Sequence, residues 1–398
     1  MSISAAVQDW REIAGEMKLI LAERAAHADA AARFPHENFT DLARKGLHTL
    51  TLREGYGGQN IGFEQTFELI AELAAGCGST ALCLAMHYYT LAGLGAMTDN
   101  AMLEDVFRDI QRNGEYMSSF NQPNAMLLTA RVAPKDMVKI EIRRTEGGYI
   151  VNGRKAFVSG CERFKYLPIY GYQEDTGTRL GMTALMVTRE DPGVRIDEAW
   201  RSAAMKGTKS HHVTLDEVFV PADRLIGREG HAIEDTNELS HWSRLAISSV
   251  YQGIAQAAFD HIVSVLGKKR DMYSQTPLAF MPGSQFTLAD MRIKLETAAN
   301  QLRVFARRAD REREQGRFTD DLFQQSLITK YYVTHMANEI VWQAMQLEGM
   351  SALNEGELLE RLYRDVRAAT YHQPGDDLLK ELLAKKTLGV VSVKNRWC

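Results

Sequence analysis

The sequence predicts an α+β protein built of three successive domains: helical, then β, then helical. The hydrophobic period carries that prediction. It is helical over residues 1–115, falls to two over 116–228, and is helical again over 229–398. Length agrees: at about 150 residues per domain, the 398 residues make two or three domains, each able to bury a core.

In the first domain Phe63, Phe67, Ile70 and Ala74 recur at i, i+4, i+7 and i+11, one face of a helix. Glu54-Gly-Tyr-Gly-Gly58 before them is a loop, and Pro35 and Gly46 separate earlier helices. The stretch Thr80–Met97 has membrane length, but it holds His87 and two tyrosines and lacks a basic flank, so it reads as a buried helix. Asp9, Arg11 and Glu12 precede any apolar run long enough for a signal peptide, which predicts a cytoplasmic protein.

From about Glu115, Val138, Ile140 and Ile142 alternate with Lys139, Glu141 and Arg143, the pattern of a half-buried strand. Gly147-Gly148 and Asn152-Gly153 read as hairpin turns around Tyr149 and Val151. Further strands are expected at 184–188, 213–215 and 218–220, with Pro221 closing the region. After about Gly230, Leu288, Met291, Leu295, Ala298, Leu302 and Phe305 fall at helical spacing. Thr319 followed by Asp320 and Asp321 is a helix start.

Composition removes several function classes. Apolar residues are 45% and charged residues 25%, an ordinary globular mixture. Forty-seven basic and 51 acidic residues leave a net charge of −4, without the basic surplus of a nucleic-acid binder. Four cysteines in so long a chain make no disulfide framework. The chain has no G-x-G-x-x-G after a strand, no P-loop, no G-x-S-x-G elbow, no C-x-x-C and no H-E-x-x-H. Cys77 and Cys83 read as small core residues, and His211 and His212 would face opposite sides of a strand, so no metal site is expected. Any chemistry then falls to an organic cofactor.

Several local phrases, in order, resemble the acyl-CoA dehydrogenase superfamily. Glu54-Gly-Tyr-Gly-Gly58, Phe67-Glu68-Leu69 and Gly78-Ser79-Thr80-Ala81 are similar to its "YGG…ELA…GSTA" stretch. Gly148 to Gly160 resembles "GYxLNGxKxxIT", while Met205-Lys206-Gly207-Thr208 and Val218-Phe219-Val220-Pro221 fall where the family has "G(I/M)RG(T/S)" and "V(F/R)VP". Ser243-Arg244-Leu245-Ala246, Arg270-Asp271-Met272-Tyr273 and Leu362-Tyr363-Arg364-Asp365 follow at family spacing.

The resemblance implies a flavoprotein with an N-terminal helical domain, a middle β-barrel or sandwich and a C-terminal four-helix bundle. It puts Phe157 and Ser159 beside the flavin ring. It puts Arg270, after Lys268 and Lys269, on the flavin phosphates of a neighbouring subunit, with Tyr273 in the same motif, and so implies a homo-oligomer, a tetramer or a dimer. An electron-transfer or flavin-reductase partner, and no nucleic acid or membrane, completes the expectation.

Three departures from the family pattern matter. The "TEPxAGSD" loop, which touches flavin and substrate, corresponds to Asn121 to Leu128 and keeps only the proline and one alanine. "QxxGGxG" corresponds to Gln346 to Ala352, with Gly349 retained and side chains at two of three glycine positions; this keeps FMN open beside FAD. The family's catalytic glutamate falls on Gln373, and its alternative position on Ser243. A glutamine amide cannot remove an α-proton, which leaves His372, Asp376 and Asp377 as candidate bases. The expected reaction is oxidation of an acyl thioester or similar carbonyl compound by hydride transfer to flavin. The same residues also resemble the superfamily's two-component monooxygenases, which use reduced flavin and oxygen, with His87, Ser159 and His372 in the matching places. A catalytically silent member is a third reading.

Overall fold

A computed structural model describes residues 9–97, 100–120, 134–178 and 180–389. The N-terminal helices are α1 (Trp10–Ala30), α2 (His36–Arg44), α3 (Phe63–Gly76), α4 (Gly78–Gly95) and α5 (Ala101–Asn113). Phe63, Phe67, Ile70 and Ala74 are all buried on α3, as their spacing predicts. Every residue from Gly78 to Leu94 of α4 is buried, including Cys83, so the long apolar stretch is a core helix. No helix among the described residues is long and apolar enough to cross a membrane. Gly114 caps α5 in the left-handed region, where the helical period ends.

After the short α6 (Pro134–Met137) the chain forms β1 (Ile140–Thr145), β2 (Gly148–Val158), β3 (Tyr166–Gln173), β4 (Met182–Thr188), β5 (Val194–Asp197) and β6 (His211–Pro221). These make one six-stranded mixed sheet in the order β4-β3-β1-β2-β6-β5. Leu185 and Val187 of β4 share a core with Val218 and Val220 of β6, so the sheet curls until strands from separate parts of it close on the same apolar interior.

Two local readings of the sequence are corrected here. Asn152-Gly153 is not a turn: both residues lie inside β2 at a register shift against β6. Gly153 has a φ of +135°, and a Cβ there would sit 2.1 Å from the Lys139 carbonyl oxygen, so the glycine permits a bulge rather than a reversal. The strands expected at 213–215 and 218–220 are one strand, β6, which passes through Glu217 at a φ of +49°.

The C-terminal domain holds the short α7 (Ala232–Asp235), then α8 (Leu239–Lys268), α9 (Pro282–Glu314), α10 (Asp320–Glu348), α11 (Leu358–Val366) and α12 (Asp376–Thr387). Three long helices pack together, and the fourth position of the bundle is split into α11, a 3-10 turn over Arg367–Tyr371, and α12. Thr319 caps α10, its hydroxyl accepting from the Leu322 N–H, as the Thr-Asp-Asp signal predicts. Helix α8 packs against α3 and α4 as well as α9 and α10, so the two helical domains share one core.

Candidate active site

The candidate site is built from the end of β2 and from the C-terminal helices. Beside Phe157, β2 slips register against β6 between Lys155 and Val158. Phe157 is left at a φ of +56°, a conformation that strains a bulky residue, and its ring is 63% exposed. The His212 ring lies 5.4 Å away and Trp200 6.2 Å away, both edge-on, and the Phe157 N–H points at His212 Nδ1 at 3.4 Å. His211, by contrast, is buried and engaged by Glu162 and the Trp200 N–H. The adjacent histidines thus sit in different environments, as expected for neighbours on opposite faces of a strand.

Ser159 is buried at the head of a hydroxyl relay. Its Oγ is 2.8 Å from Ser210 Oγ, which is 2.7 Å from Thr208 Oγ1, and Thr208 donates to the Met205 carbonyl at 2.9 Å. A carbonyl can only accept, so the donor order is fixed: Thr208 to Met205, Ser210 to Thr208, Ser159 to Ser210. Ser159 therefore has no proton left for a ligand and presents acceptor lone pairs only. An exposed flat aromatic beside such a hydroxyl fits a flavin ring, whose edge carries N–H groups and whose face is apolar.

On the C-terminal helices, His372 follows the 3-10 turn and is half-buried, its Nε2 2.7 Å from the hydroxyl of Tyr251 on α8. Burial, with the nearby Lys330 ammonium, pushes the His372 imidazole down to about 4. Burial holds the Tyr251 phenol well above its ordinary range, so it stays a neutral O–H. Gln373 is exposed and its Oε1 accepts from the Gly375 N–H at 3.3 Å. Ser243, the alternative position, donates to the Ser240 carbonyl of its own helix.

Met205 joins the two sides. Its carbonyl takes the Thr208 hydroxyl and the Trp200 indole N–H, while its N–H donates to Asp365 of α11 at 2.5 Å. Arg364 also reaches the Ala203 carbonyl. Sequence reasoning overlooked this tie because it joins residues 160 positions apart.

Other expected site residues fall elsewhere. His87 is buried on α4 with both ring nitrogens engaged: Nε2 meets the His48 carbonyl at 2.8 Å and Nδ1 accepts from the Met117 N–H at 3.0 Å. That is the environment of a core histidine, with both nitrogens already engaged by backbone groups. Asp376 opens α12 and is bonded to His335 of α10 at 2.6 Å, not to the Tyr251–His372 pair. Asn121 lies outside the described residues. Arg270, Tyr273, Gln346 and Gly349 are exposed at a different corner, where Lys269 at the end of α8 donates to the Glu348 carbonyl at the end of α10. Arg270 itself donates to the Gln275 carbonyl at 2.8 Å.

Buried neutral histidines set an acid limit on stability. Burial holds His87 and His241 down at about 3 and His372 at about 4, so each takes up a proton on unfolding. Their stabilisation is present above the ordinary histidine value of 6.5 and is lost as pH falls toward those folded values. Asp365, raised by burial to about 6, acts oppositely; its contribution is present below 3.8 and lost as pH rises through 6. Three groups outweigh one, so the denaturant midpoint is expected to drop between pH 6.5 and 4.5; an equal or higher midpoint at pH 4.5 contradicts the burial.

A curled sheet between helical domains, with the family matches that follow, makes this a flavoprotein oxidoreductase of the acyl-CoA dehydrogenase type. The chain belongs to the acyl-CoA dehydrogenase family. The family's N-terminal domain matches residues 11–100, its middle domain 125–218 and its C-terminal domain 245–376. The Bacillus subtilis protein YdbM, which carries the name of an acyl-CoA dehydrogenase, is 28% identical over 381 residues, covering 95% of this chain and 96% of the relative. Among solved structures, butyryl-CoA dehydrogenase from Megasphaera elsdenii superposes with a TM-score of 0.84 at 18% identity, covering 98% of this chain and 99% of the other. TdsC from Paenibacillus sp. A11-2, a dibenzothiophene monooxygenase solved with FMN and indole, gives 0.85 at 21%, covering 95% and 96%.

Proposed function

We propose that the chain oxidises an acyl thioester or similar carbonyl compound, with flavin held at Phe157 and Ser159 and with His372 as the base in place of the missing glutamate. The observation that carries this reading is the placement of His372 one position before the family's glutamate, with its Nε2 2.7 Å from the Tyr251 hydroxyl. At about 4 its folded value lies in the range of an ordinary glutamate, so burial has given an imidazole the proton affinity of the lost carboxylate. The flavin, when bound, accepts the hydride. The chain's own part is to seat the ring on Phe157, to accept an N–H at Ser159 Oγ, and to take the substrate proton on His372 Nδ1, the nitrogen whose lone pair is free when Nε2–H donates to the Tyr251 oxygen. FAD is the cofactor proposed, with FMN the alternative; acid extraction and mass measurement of the released flavin decides between them.

A specific observation favours a second reading, a two-component monooxygenase using reduced flavin and oxygen. Ser159 can only accept, and a reduced flavin carries an additional N–H at N5 where the oxidised ring has a lone pair. Anaerobic addition of acyl-CoA separates the readings: bleaching of the bound oxidised flavin supports the dehydrogenase. Tighter binding of the reduced form, with no bleaching, supports the monooxygenase.

We further propose that Arg270, Tyr273, Gln346 and Gly349 contact the flavin of a second copy of the chain. Exposed Met272, Phe280, Phe286 and Met350 surround that corner, apolar area suited to a subunit contact. Arg270→Ala is expected to weaken flavin retention about tenfold, the worth of one charge-assisted hydrogen bond, without lowering the Tm of flavin-free protein. Unchanged retention removes Arg270 from the site.

A further inference from the structure

Phe157 owes its exposure to an irregularity in the sheet. Lys155 pairs with Val213 and Val158 with His211, so Ala156 and Phe157 together face the single residue His212. That is a β-bulge, and Phe157, at a φ of +56°, occupies a left-handed position that glycine ordinarily fills. A bulge disrupts the ladder locally. The acceptor that faces the Phe157 N–H is a side chain, His212 Nδ1, at 3.4 Å.

His212 is placed by both neighbouring strands. It pairs with Asp197 of β5, and its ring meets the Phe157 ring edge-on at 5.4 Å. Trp200 also meets Phe157 edge-on, at 6.2 Å. It is tied down through its own N–H to His211 Nδ1 and through its indole N–H to the Met205 carbonyl. One hydrogen bond and two ring contacts thus hold the strained residue, and the hydrogen bond has a chemical condition. Nδ1 accepts only while it keeps its lone pair; protonation puts an N–H there, donor against donor. The charged groups that face His212 are Arg154 from β2, Asp197 from β5 and His211 on its own strand. Burial, then Arg154, holds the imidazole below its ordinary 6.5, with Asp197 pulling the other way. The neutral, accepting form therefore prevails at neutral pH. His212 falls between Met205–Thr208 and Val218–Pro221, the two phrases of this region that resemble the family, and in neither.

We propose that His212 is a positioning residue for the flavin wall: its neutral Nδ1 holds the Phe157 backbone in the conformation that turns the ring outward, and protonation of that nitrogen lets the ring go. A flavin seated on Phe157 then needs the neutral imidazole, and its affinity falls in acid. The cofactor half of this statement rests on the function proposed above; the contact between His212 and Phe157 does not.

Two variants and two readouts separate those halves. His212→Asn places an amide oxygen near the position of Nδ1, an acceptor that does not titrate, whereas His212→Phe keeps an aromatic edge and loses the acceptor. The first readout is the affinity of flavin-free protein for FAD and FMN between about pH 8 and about pH 5. The parent is expected to lose about threefold to tenfold across that range, the worth of one hydrogen bond. His212→Asn should match the parent at the alkaline end and hold its affinity in acid, while His212→Phe should be weak throughout. The second readout needs no cofactor. The amide resonance of Phe157, in protein with isotopically labelled phenylalanine and assigned by its absence from Phe157→Gly, should shift with pH in the parent and stay fixed in His212→Asn. An amide that ignores pH, or responds equally in His212→Asn, overturns the positioning role. Flavin affinity that falls equally in the parent and in His212→Asn overturns the link to the cofactor. A titrating amide in a protein that binds neither flavin keeps the contact but overturns the flavin reading, and the cofactor role of His212 with it.

Discussion

His372→Ala is expected to lower turnover by about 10²–10⁴-fold, the ordinary contribution of a positioned general base, with little change in the binding of flavin. The side chain is half-buried at the end of the 3-10 turn, and among the described residues it bonds Tyr251. Removing it therefore leaves a buried phenol without its partner, at a cost of about 1–3 kcal/mol. Tyr251→Phe distinguishes orientation from chemistry. It keeps the imidazole, loses the hydroxyl that aims it, and should lower activity by a smaller factor. It should also move the acid limb of the pH–rate profile, which for the parent protein follows the imidazole at about 4. His372→Glu restores a carboxylate one position before the family's own and is expected to recover part of the activity. Full activity in His372→Ala removes this residue from the mechanism.

Phe157→Gly should separate cofactor binding from folding. A phenylalanine at a φ of +56° is strained by about 1–2 kcal/mol, and glycine adopts that backbone freely. The ring is mostly in solvent and gives up little core packing when removed. The flavin-free variant should therefore be as stable as the parent or more so, while its flavin dissociation constant rises about tenfold through loss of the aromatic contact. A structural phenylalanine would show the reverse: lower Tm, unchanged flavin affinity. Strain retained at an exposed ring beside a hydroxyl relay is what a ligand-facing residue looks like.

Much of the architecture was legible because local chemistry fixed it. Thr319 with two following aspartates is a cap wherever it occurs, and Leu288 to Phe305 can bury one face only as a helix. β3 escaped detection because Tyr166–Tyr170 is buried on both faces, which erases the period of two, and Pro168 lies inside it. Asn152-Gly153 misled because a glycine at positive φ serves a bulge as well as a turn.

The site was legible in its types and less so in its geometry. Phe157, Ser159 and His372 remain the residues proposed for the site, but nothing local distinguishes His372 from His87. What separates them is that backbone groups of His48 and Met117, distant in sequence, have already claimed both His87 nitrogens. Tyr251 was hidden for a related reason, since its spacing is that of any buried helical position. Ser210 and Thr208 gained meaning only once β2 and β6 were paired and the direction of the relay could be read.

The central claim is that Phe157 and Ser159 hold a flavin. The most direct test is an anaerobic titration of the purified protein with FAD and FMN, each oxidised and reduced, followed by absorbance. Saturable binding of at least one flavin in one redox state, weakened about tenfold in Phe157→Gly, is the predicted result. Failure of both flavins to bind in either state contradicts the account.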